Sequence, residues 1–393
     1  MTKAALSDLR VLDLTRVRAG PACCRVLADF GADVIKIEAP EGLDPNPGMS
    51  GARHGYDMLN LHRNKRSLTL NLKATEGKAL FLRMVEDADI VVENFRPDVK
   101  ERLGLGYDAL CAVNPRIILA SISGFGQTGP HAGRAGFDQI AQGMGGLMGT
   151  TGFPGAEPLR AGTAVADLSA GIYAATGILL ALHERTRSGR GQWVHTSLLQ
   201  AQIAMMDFQA AQYLVDGTVP PPTGNDHPYV TPMGVVATAD GHLNLGVGGD
   251  GQWRAFCAAI GQSAWGDDPA YATNAARFER RAELWQKLRP IFAARPTAEW
   301  VDLLDRAGVP AGPIYRMDEV FDDPQVAHLG MAAPLAHPVR GDTRLVAQPV
   351  TLSRTPAALR DAAPDAGAQT EAVLAEIGVT PAEIAALRDR NVI

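Results

Sequence analysis

The stretch Arg10-Val-Leu-Asp-Leu14, followed by Pro21 and Cys23-Cys-Arg-Val-Leu-Ala-Asp-Phe30, decides the fold class of this chain. The first five residues have the apolar character of a short buried strand. Pro21 suits the first turn of a helix and Gly31 suits its end, so the segment between them predicts a helix. Val34-Ile-Lys-Ile37 predicts a second strand. A strand, a helix and a strand in this order indicate a parallel pair joined by a helical crossover.

The same alternation continues through the first half of the chain. Ser67–Leu72 alternates apolar and polar residues with period two, and a helix is predicted near Thr75–Glu86. Two further strands are predicted at Asp89–Val92 and Ile117–Ala120. Strands separated by short helices are typical of a parallel sheet that is covered by helices on both faces.

The second half of the chain predicts a different, smaller unit. From Asp138 to about Gln212 the pattern is helical, and Val219-Pro-Pro-Pro-Thr-Gly-Asn225 is a Pro-rich break that predicts a linker. The elements predicted beyond this break are a hairpin at 234–247 that turns at Asp240-Gly241, helices at 253–260 and 280–294, a second break at 308–313 and two short helices within 370–393.

The composition excludes several classes of function. Of the 393 residues, 46% are hydrophobic and 20% are charged, and the formal net charge is -6, which argues against nucleic acid or an anionic membrane as a partner. The N-terminal residues lack the apolar core of a signal peptide. Because the four cysteines, Cys23, Cys24, Cys111 and Cys257, have no zinc-type spacing, we expect a cytoplasmic protein with free thiols and no metal.

Asp167 is the candidate reactive residue. It lies in Arg160-Ala-Gly-Thr-Ala-Val-Ala-Asp-Leu-Ser-Ala-Gly171, before an apolar stretch at Ile172–Leu182 that predicts a buried helix too short to span a bilayer. The surroundings of such a carboxylate can tune its pKa and its reactivity, so it is a candidate nucleophile or base. The alternative is an Asp that caps the following helix. The local sequence leaves both interpretations open.

One glycine-rich stretch matches a nucleotide-binding pattern. Gly124-Phe-Gly-Gln-Thr-Gly129 has the GxGxxG spacing and follows a predicted strand. However, Pro130 and His131 stand where the helix of that motif would begin, and the strand is late in the sheet. We therefore interpret the stretch as a turn-rich active-site loop or as a simple turn, and not as an NAD site.

Basic residues gather in the N-terminal half, several of them just after strand ends, where open parallel sheets bind ligands. They form either a solvated face or a site for a phosphorylated ligand that ammonium and guanidinium groups hold. These residues are Arg63, Lys65, Arg66, Lys73, Arg96, Lys100 and Arg102.

Taken together, these segments resemble the class III CoA-transferase family, which contains formyl-CoA transferase and the carnitine CoA-transferases. The resemblance covers nearly the whole chain, and the number and order of its short motifs make it specific. The stretches that carry it are Val11–Thr15 with Ala19-Gly-Pro21, Gly31–Glu38, Asn64–Ser67, Val92–Phe95, Gly124–Pro130, Ala164–Asp167 with Ser169 and Gly171, and Gly308–Pro313.

The resemblance implies an enzyme in which Asp167 attacks the thioester of an acyl-CoA donor. CoA then moves to a free carboxylic acid through aspartyl anhydride and aspartyl-CoA thioester intermediates. Coenzyme A enters as a thioester substrate, and no permanently bound cofactor is implied. Asp138 aligns with an acidic residue close to the catalytic Asp. The CoA contacts implied by the resemblance are Val17, Ala19, Leu70, Lys73, Asn94, Phe95 and Arg102.

Departures from formyl-CoA transferase bear on the substrate. Arg18 replaces a Gln near the reacting acyl group, and a guanidinium there can clamp the distal carboxylate of a dicarboxylic acid. Ala39 replaces an Arg that binds the nucleotide, and Gly224-Asn-Asp-His-Pro228 takes the place of the Gly-rich lid. We therefore expect a small dicarboxylate, such as succinate or a C5 relative, and a succinyl-CoA-type donor.

Two other functions compete with this interpretation. The α-methylacyl-CoA racemases of the same superfamily need two bases and carry His in an Arg-x-Gly-His-Asp-like segment. This chain reads Arg134-Ala-Gly-Phe-Asp138, and Phe137 cannot accept a proton. A non-catalytic CoA-binding protein is the alternative from another class, and the intact Asp167 argues against it.

The resemblance also implies the architecture. We expect a Rossmann-like α/β large domain at 1–200, completed by 346–393, and a smaller α/β domain at 225–320. Linkers are expected at 201–224 and 321–345. In this family a partner chain threads through the subunit, so the resemblance implies an interlocked, ring-like homodimer.

Overall fold

The computed structural model describes residues 3–44, 48, 49 and 51–393. Their contacts divide the chain into two compact units. The first unit comprises the residues up to 147, 160–218 and 325–393, and the second comprises 148–159 and 219–324.

A six-stranded sheet of strand order β3-β2-β1-β4-β5-β6 organises the first unit, and every neighbouring pair of strands is parallel. The predicted parallel sheet is therefore confirmed, with one strand, β6, that was not predicted. The order reverses between β1 and β4, and ligands bind at such a switch point in open α/β sheets. The strands are β1 Arg10–Asp13, β2 Asp33–Glu38, β3 Lys65–Thr69, β4 Ile90–Glu93, β5 Ile118–Ser123 and β6 Trp193–Ser197.

Helices cover both faces of this sheet because successive strand residues point to opposite sides. Val11 packs with α1 and α8, whereas Leu12 packs with α3, α5 and the C-terminal helices. The helices up to residue 216 are α1 Ala19–Asp29, α2 Tyr56–His62, α3 Thr75–Glu86, α4 Pro97–Leu103, α5 Tyr107–Val113, α6 Asp138–Met144, α7 Leu147–Thr150, α8 Val165–Ser188, α9 Leu198–Met205 and α10 Asp207–Asp216.

An antiparallel sheet organises the second unit, and the hairpin predicted at 234–247 is confirmed by its first two strands. Aromatic residues such as Trp253, Phe256 and Trp300 fill its separate core. Its elements are β7 Met233–Ala237, β8 His242–Gly246, α11 Asp250–Ala259, a 3-10 turn at Ser263–Gly266, α12 Asn274–Glu279, α13 Arg281–Phe292, α14 Thr297–Arg306, β9 Ala311–Pro313 and α15 Met317–Asp322.

The C-terminal segment returns to the first unit. After α16 (Pro324–His328), the strands β10 (Ala332–His337) and β11 (Gly341–Val346) form an antiparallel hairpin. The two predicted short helices follow as α17 (Thr370–Glu376) and α18 (Pro381–Asp389), whose apolar residues join the core below the parallel sheet.

The contact-defined boundaries differ in detail from those expected. Residues 201–218, expected as part of a linker, lie mostly in α9 and α10 and group with the first unit. Residues 148–159 group with the second unit. The expected return linker at 321–345 contains β10 and most of β11, and strand pairing satisfies the main-chain groups of this hairpin.

Two predictions about buried residues need correction. The predicted phosphate-binding cluster is partly internal, since Arg63 and Lys65 are fully buried and pair with Asp29 and Asp13 at 2.7 and 2.8 Å. Buried cations need such partners, so these two are unavailable to a ligand. The stretch Ile172–Leu182, predicted as a buried helix too short to span a bilayer, is part of the longer helix α8, which has 24 residues. By length and composition alone α8 could cross a membrane, and some of its residues, such as Leu180, are exposed and not buried. Core helices of soluble proteins meet the same criterion.

Candidate active site

A cavity of about 470 Å³ opens at the carboxyl edge of the parallel sheet, within the first unit. The turns that follow β1, β4 and β5 supply most of its wall, as expected at the switch point of an open α/β sheet. The lining residues are Arg16–Ala19, Met49, Asn94–Pro97, Ile122–Gly124, Ala132, Arg134–Phe137, Asp167 and Leu198.

Asp167 reaches this cavity from the first turn of α8, where it is the third helical residue. Its carboxylate makes no hydrogen bond or ion pair with another described residue. The pKa of Asp167 is raised to about 6, mainly by burial and also by the negative charge of Asp138, while the positive charge of Arg18 opposes both effects. Asp167 is thus mostly ionised at neutral pH and poorly solvated, which suits a carboxylate nucleophile.

Asp138, and not Asp167, caps α8. The Oδ1 atom of Asp138 accepts hydrogen bonds from the main-chain N–H groups of Ala166 and Asp167 at 2.9 and 3.2 Å. These N–H groups have no acceptor inside the helix, so an acidic side chain there stabilises the helix start. The alternative of Asp167 as a simple capping residue is therefore wrong.

Gln142 holds the capping carboxylate in place. Its Nε2 donates to Asp138 Oδ2 at 2.6 Å and to the Thr163 carbonyl at 3.1 Å, and its Oε1 accepts from Ala161 N at 2.9 Å. Gln142 is fully buried, so these bonds are shielded from water. The amide therefore ties α6 to the segment that leads into α8.

Arg18 supplies the positive charge beside Asp167. Its Nη2 donates to Asp57 Oδ2 at 2.7 Å, and about a third of its side chain is exposed. No other hydrogen bond of the Arg18 side chain is formed with the described residues, so Nε and Nη1 can bind a ligand. The guanidinium therefore binds α2 through Nη2 and keeps its other nitrogen atoms available to a ligand in the cavity.

The turn between β1 and α1 has an unusual backbone. Val17 has φ +65°, a left-handed conformation that β-branched residues rarely adopt. On one side, Asn94 exchanges two hydrogen bonds with the main chain of Arg16 at 2.7 and 2.9 Å. On the other side, Arg18 is the N-cap residue that directly precedes α1.

The structure brings together most of the predicted site residues. Val17, Arg18, Ala19, Asn94, Phe95, Phe137 and Asp167 all line the cavity, and Asp138 lies behind Asp167. Leu70, Lys73 and Arg102 do not line it. The Leu70 side chain is buried in the core, and Arg102 is exposed and pairs with Asp98 at 3.5 Å.

Sequence reasoning missed several residues of the site. Arg16 and Arg134 line the cavity, Asp57 binds Arg18, and Gln142 fixes Asp138. Only Gln142 carried a local signal, since it follows Asp138 by four residues and such pairs meet on a helix surface. The predicted stretch 124–129 proved to be a loop that contributes Gly124 to the cavity wall.

A family model described as CoA-transferase family III matches residues 6–370. The chain belongs to this family. It is 42% identical to the succinate–glutarate CoA-transferase of Agrobacterium fabrum, over 95% of this chain and 96% of that one. It is 38% identical to the succinyl-CoA–D-citramalate CoA-transferase of Chloroflexus aurantiacus, over 99% and 98%. A CaiB/BaiF family structure from Brucella suis matches with a TM-score of 0.83 and 35% identity, over 96% of this chain and 100% of that one.

The predictions of the family, of the α/β fold and of a CoA-transferase are thus confirmed. Members of CoA-transferase family III use CoA thioesters as substrates, so the cavity lined by Asp167 is the candidate site for the thioester. Phe137 lines the cavity, and its phenyl ring cannot exchange a proton, so it cannot serve as one of the two bases that a racemase needs.

The raised pKa of Asp167 predicts that its charge destabilises the folded protein at neutral pH. Because the folded pKa of about 6 lies above the ordinary value of 3.8, the folded state binds more protons between these values and loses stability as the pH rises through them. The free energy of unfolding of Asp167→Asn should therefore exceed that of wild type by about 1–3 kcal/mol at about pH 8. The difference should vanish below about pH 4, where wild type is protonated in both states. Urea titrations at both pH values measure it.

Asp108→Asn is the matched control, because Asp108 also lies in the first turn of a helix but is exposed. The free energy of unfolding of this variant should not show a comparable increase at either pH. A gain in Asp167→Asn that is the same at both pH values would show that its cause is not the charge.

Proposed function

We propose that this CoA-transferase moves CoA from a succinyl-CoA-type donor to a small dicarboxylic acid. The observation that carries the proposal is the Asp167 carboxylate, which faces the cavity without a partner among the described residues. The named activities of the Agrobacterium and Chloroflexus relatives, which involve succinate, glutarate and citramalate, support the choice of acids.

In the first half of the proposed reaction, an oxygen of Asp167 attacks the thioester carbonyl of the donor. The C–S bond breaks, a mixed anhydride between Asp167 and the donor acyl group forms, and CoA leaves as the thiolate. The thiolate then attacks the Asp167 carbonyl of the anhydride. This step releases the donor acid and leaves an aspartyl-CoA thioester.

In the second half, the carboxylate of the acceptor acid attacks the aspartyl thioester. CoA thiolate leaves again, and a second anhydride forms between Asp167 and the acceptor. Attack of the thiolate on the acceptor carbonyl gives the new acyl-CoA and restores the Asp167 carboxylate. No proton is gained or lost overall, so the reaction needs no general base.

The physical demands of this route match the site. A carboxylate is a better nucleophile when it is poorly solvated, and an anhydride survives only where water is excluded. Burial already raises the pKa of Asp167. The Arg18 charge can stabilise the negative charge that develops on the oxygens during each attack.

We propose that the resemblance-based CoA contacts divide into two groups. Val17, Ala19, Asn94 and Phe95 line the cavity near Asp167 and fit the thioester end of CoA. Lys73 and the main chain of Leu70, whose side chain is buried, follow β3 at the same edge of the sheet, farther from the switch point, where the nucleotide end would lie. Arg102, with its exposed guanidinium, would meet a phosphate.

The first prediction concerns the aspartyl intermediate. When succinyl-CoA, acetyl-CoA and formyl-CoA are each incubated with a panel of free acids, wild type should form new acyl-CoA species and Asp167→Asn none. Hydroxylamine added during turnover should convert the aspartyl thioester of wild type into a hydroxamate on the Asp167 peptide. Mass spectrometry measures both, and Asp108→Asn should behave as wild type. Full transfer by Asp167→Asn would contradict the mechanism.

A second prediction concerns acid selectivity. If Arg18 clamps the distal carboxylate, Arg18→Gln should lower kcat/KM for glutarate by about 10- to 100-fold more than for butyrate, because a charge-assisted bond is lost. Arg134→Gln is the matched control, since Arg134 is another cavity arginine and should not discriminate between the two acids. Selective loss in Arg134→Gln instead of Arg18→Gln would reassign the clamp.

We also propose the homodimer that the resemblance implies. Large apolar side chains are exposed on α8 and α10 of the single chain, among them Leu180, Leu214 and Val215 at 67, 81 and 80%. Such surfaces usually meet a partner. Sedimentation equilibrium at micromolar concentration should give the mass of two chains, and Leu214→Lys with Val215→Lys should lower it. A wild type of single-chain mass would contradict the proposal. The cytoplasmic location stays a prediction.

A further inference from the structure

We propose that Asn94 is a positioning residue, whose side-chain amide holds the turn Arg16–Ala19 in the shape that presents Arg18 to Asp167. The proposal rests on the proposed function, because it assigns a role in the reaction of Asp167. It differs from the contact with CoA that the resemblance implies for Asn94.

The amide of Asn94 binds a single residue of the turn through both of its polar atoms. Its Oδ1 accepts from Arg16 N at 2.9 Å, and its Nδ2 donates to Arg16 O at 2.7 Å. Asn94 directly follows β4, and β4 pairs in parallel with β1, which leads into the turn. The side chain thus continues the pairing of these two strands beyond their ends.

The preceding residue, Thr15, is held as firmly. Asp13 Oδ1 accepts from Thr15 N and Oγ1 at 2.9 and 2.5 Å, and Lys36 Nζ donates to Thr15 O at 3.1 Å. All three residues are buried. On the far side of the turn, a Cβ at Gly20 would lie 2.3 Å from the Thr15 Cβ, so α1 begins in direct contact with Thr15.

Between these anchors, Val17 adopts φ +65°. A β-branched residue keeps such a conformation only where its surroundings impose it. Asn94 supplies one such constraint, because it binds both main-chain polar atoms of the preceding residue, Arg16. Without the amide, we expect Val17 to relax to negative φ.

The conformation of Val17 determines where Arg18 points. Arg18 directly follows Val17 and is the N-cap residue of α1, so rotation about φ of Val17 displaces the Arg18 side chain. Its guanidinium binds Asp57 at 2.7 Å, and its charge lowers the pKa of Asp167. Relaxation of the turn should therefore weaken the positive potential at the nucleophile.

The test compares Asn94→Ala, the double variant Val17→Gly with Asn94→Ala, and Asn114→Ala. Asn114 is the matched control, because its side-chain amide also binds main-chain atoms, of Val85, Ala88 and Arg116, outside the cavity. Each protein is assayed for kcat, for KM of the acyl-CoA and for the pH dependence of kcat/KM. Crystal structures of wild type and Asn94→Ala give φ of Val17.

We expect Asn94→Ala to lose kcat by about 10- to 100-fold, since a displacement near 1 Å can cost this much. The acidic limb of its pH profile should move to higher pH, because Asp167 loses the field of Arg18. Glycine adopts positive φ about as readily as negative φ, so the double variant should recover part of both losses. Asn114→Ala should match wild type in kcat and in the position of the acidic limb.

Three results would overturn the inference. A loss confined to KM of the acyl-CoA would make Asn94 a CoA contact. A double variant no better than Asn94→Ala would show that the turn is not what fails. A crystal structure of Asn94→Ala with Val17 still near φ +65° would show that the amide does not hold it. The last readout needs no turnover, so it decides the inference even if wild type transfers no CoA and the proposed function fails.

Discussion

The close packing of α8 against α1 is the constraint on which the site depends. A Cβ at Gly171 would lie 2.6 Å from the main-chain oxygen of Ala19, so the main chains of the two helices approach each other directly at this point. The buried face of α8 is correspondingly made of small residues, including Ala166, Ala170 and Ala174. Small residues let helices approach closely, and here they bring the start of α8, with Asp167, up to the turn between β1 and α1. The small residues near Asp167 therefore allow α8 to pack closely against α1.

Asp138, from α6, and Asp167, from α8, both lie at the start of α8 but have different roles because their surroundings differ. Asp138 is hydrogen-bonded by two main-chain N–H groups and by Gln142, whereas Asp167 has no such donor among the described residues. Hydrogen bonds to an ionised carboxylate stabilise it, and the lack of them leaves it reactive. The charge of Asp138 adds to this difference by raising the pKa of Asp167. One carboxylate thus orders the helix and keeps the second one nucleophilic.

The elements of the fold could be predicted from the sequence because their signals are local. The strands near 10–14, 34–37 and 89–92 and the helix at 75–86 lie within a few residues of their predicted bounds. The site could be predicted only in part. Two members of the basic cluster, Arg63 and Lys65, are not ligand-binding residues because their acidic partners hold them in the interior. The partner of Arg63 is Asp29, which lies 34 residues away along the chain. Asp57 binds Arg18 from 39 residues away along the chain, and no local sequence pattern predicts this pairing.

The sequence by itself determined the alternation of strands and helices, the family and the identity of Asp167 as the reactive candidate, because apolar periodicity and short motifs are properties of neighbouring residues. Only the tertiary structure decided that Asp138 caps α8, that Arg18 pairs with Asp57, that Val17 adopts a positive φ and that Asn94 binds the main chain of Arg16 beside it. These facts depend on groups far apart in the chain that the parallel sheet brings to one edge. Hydrogen bonds and charges act over a few ångströms, so they exist only once the fold has set those distances.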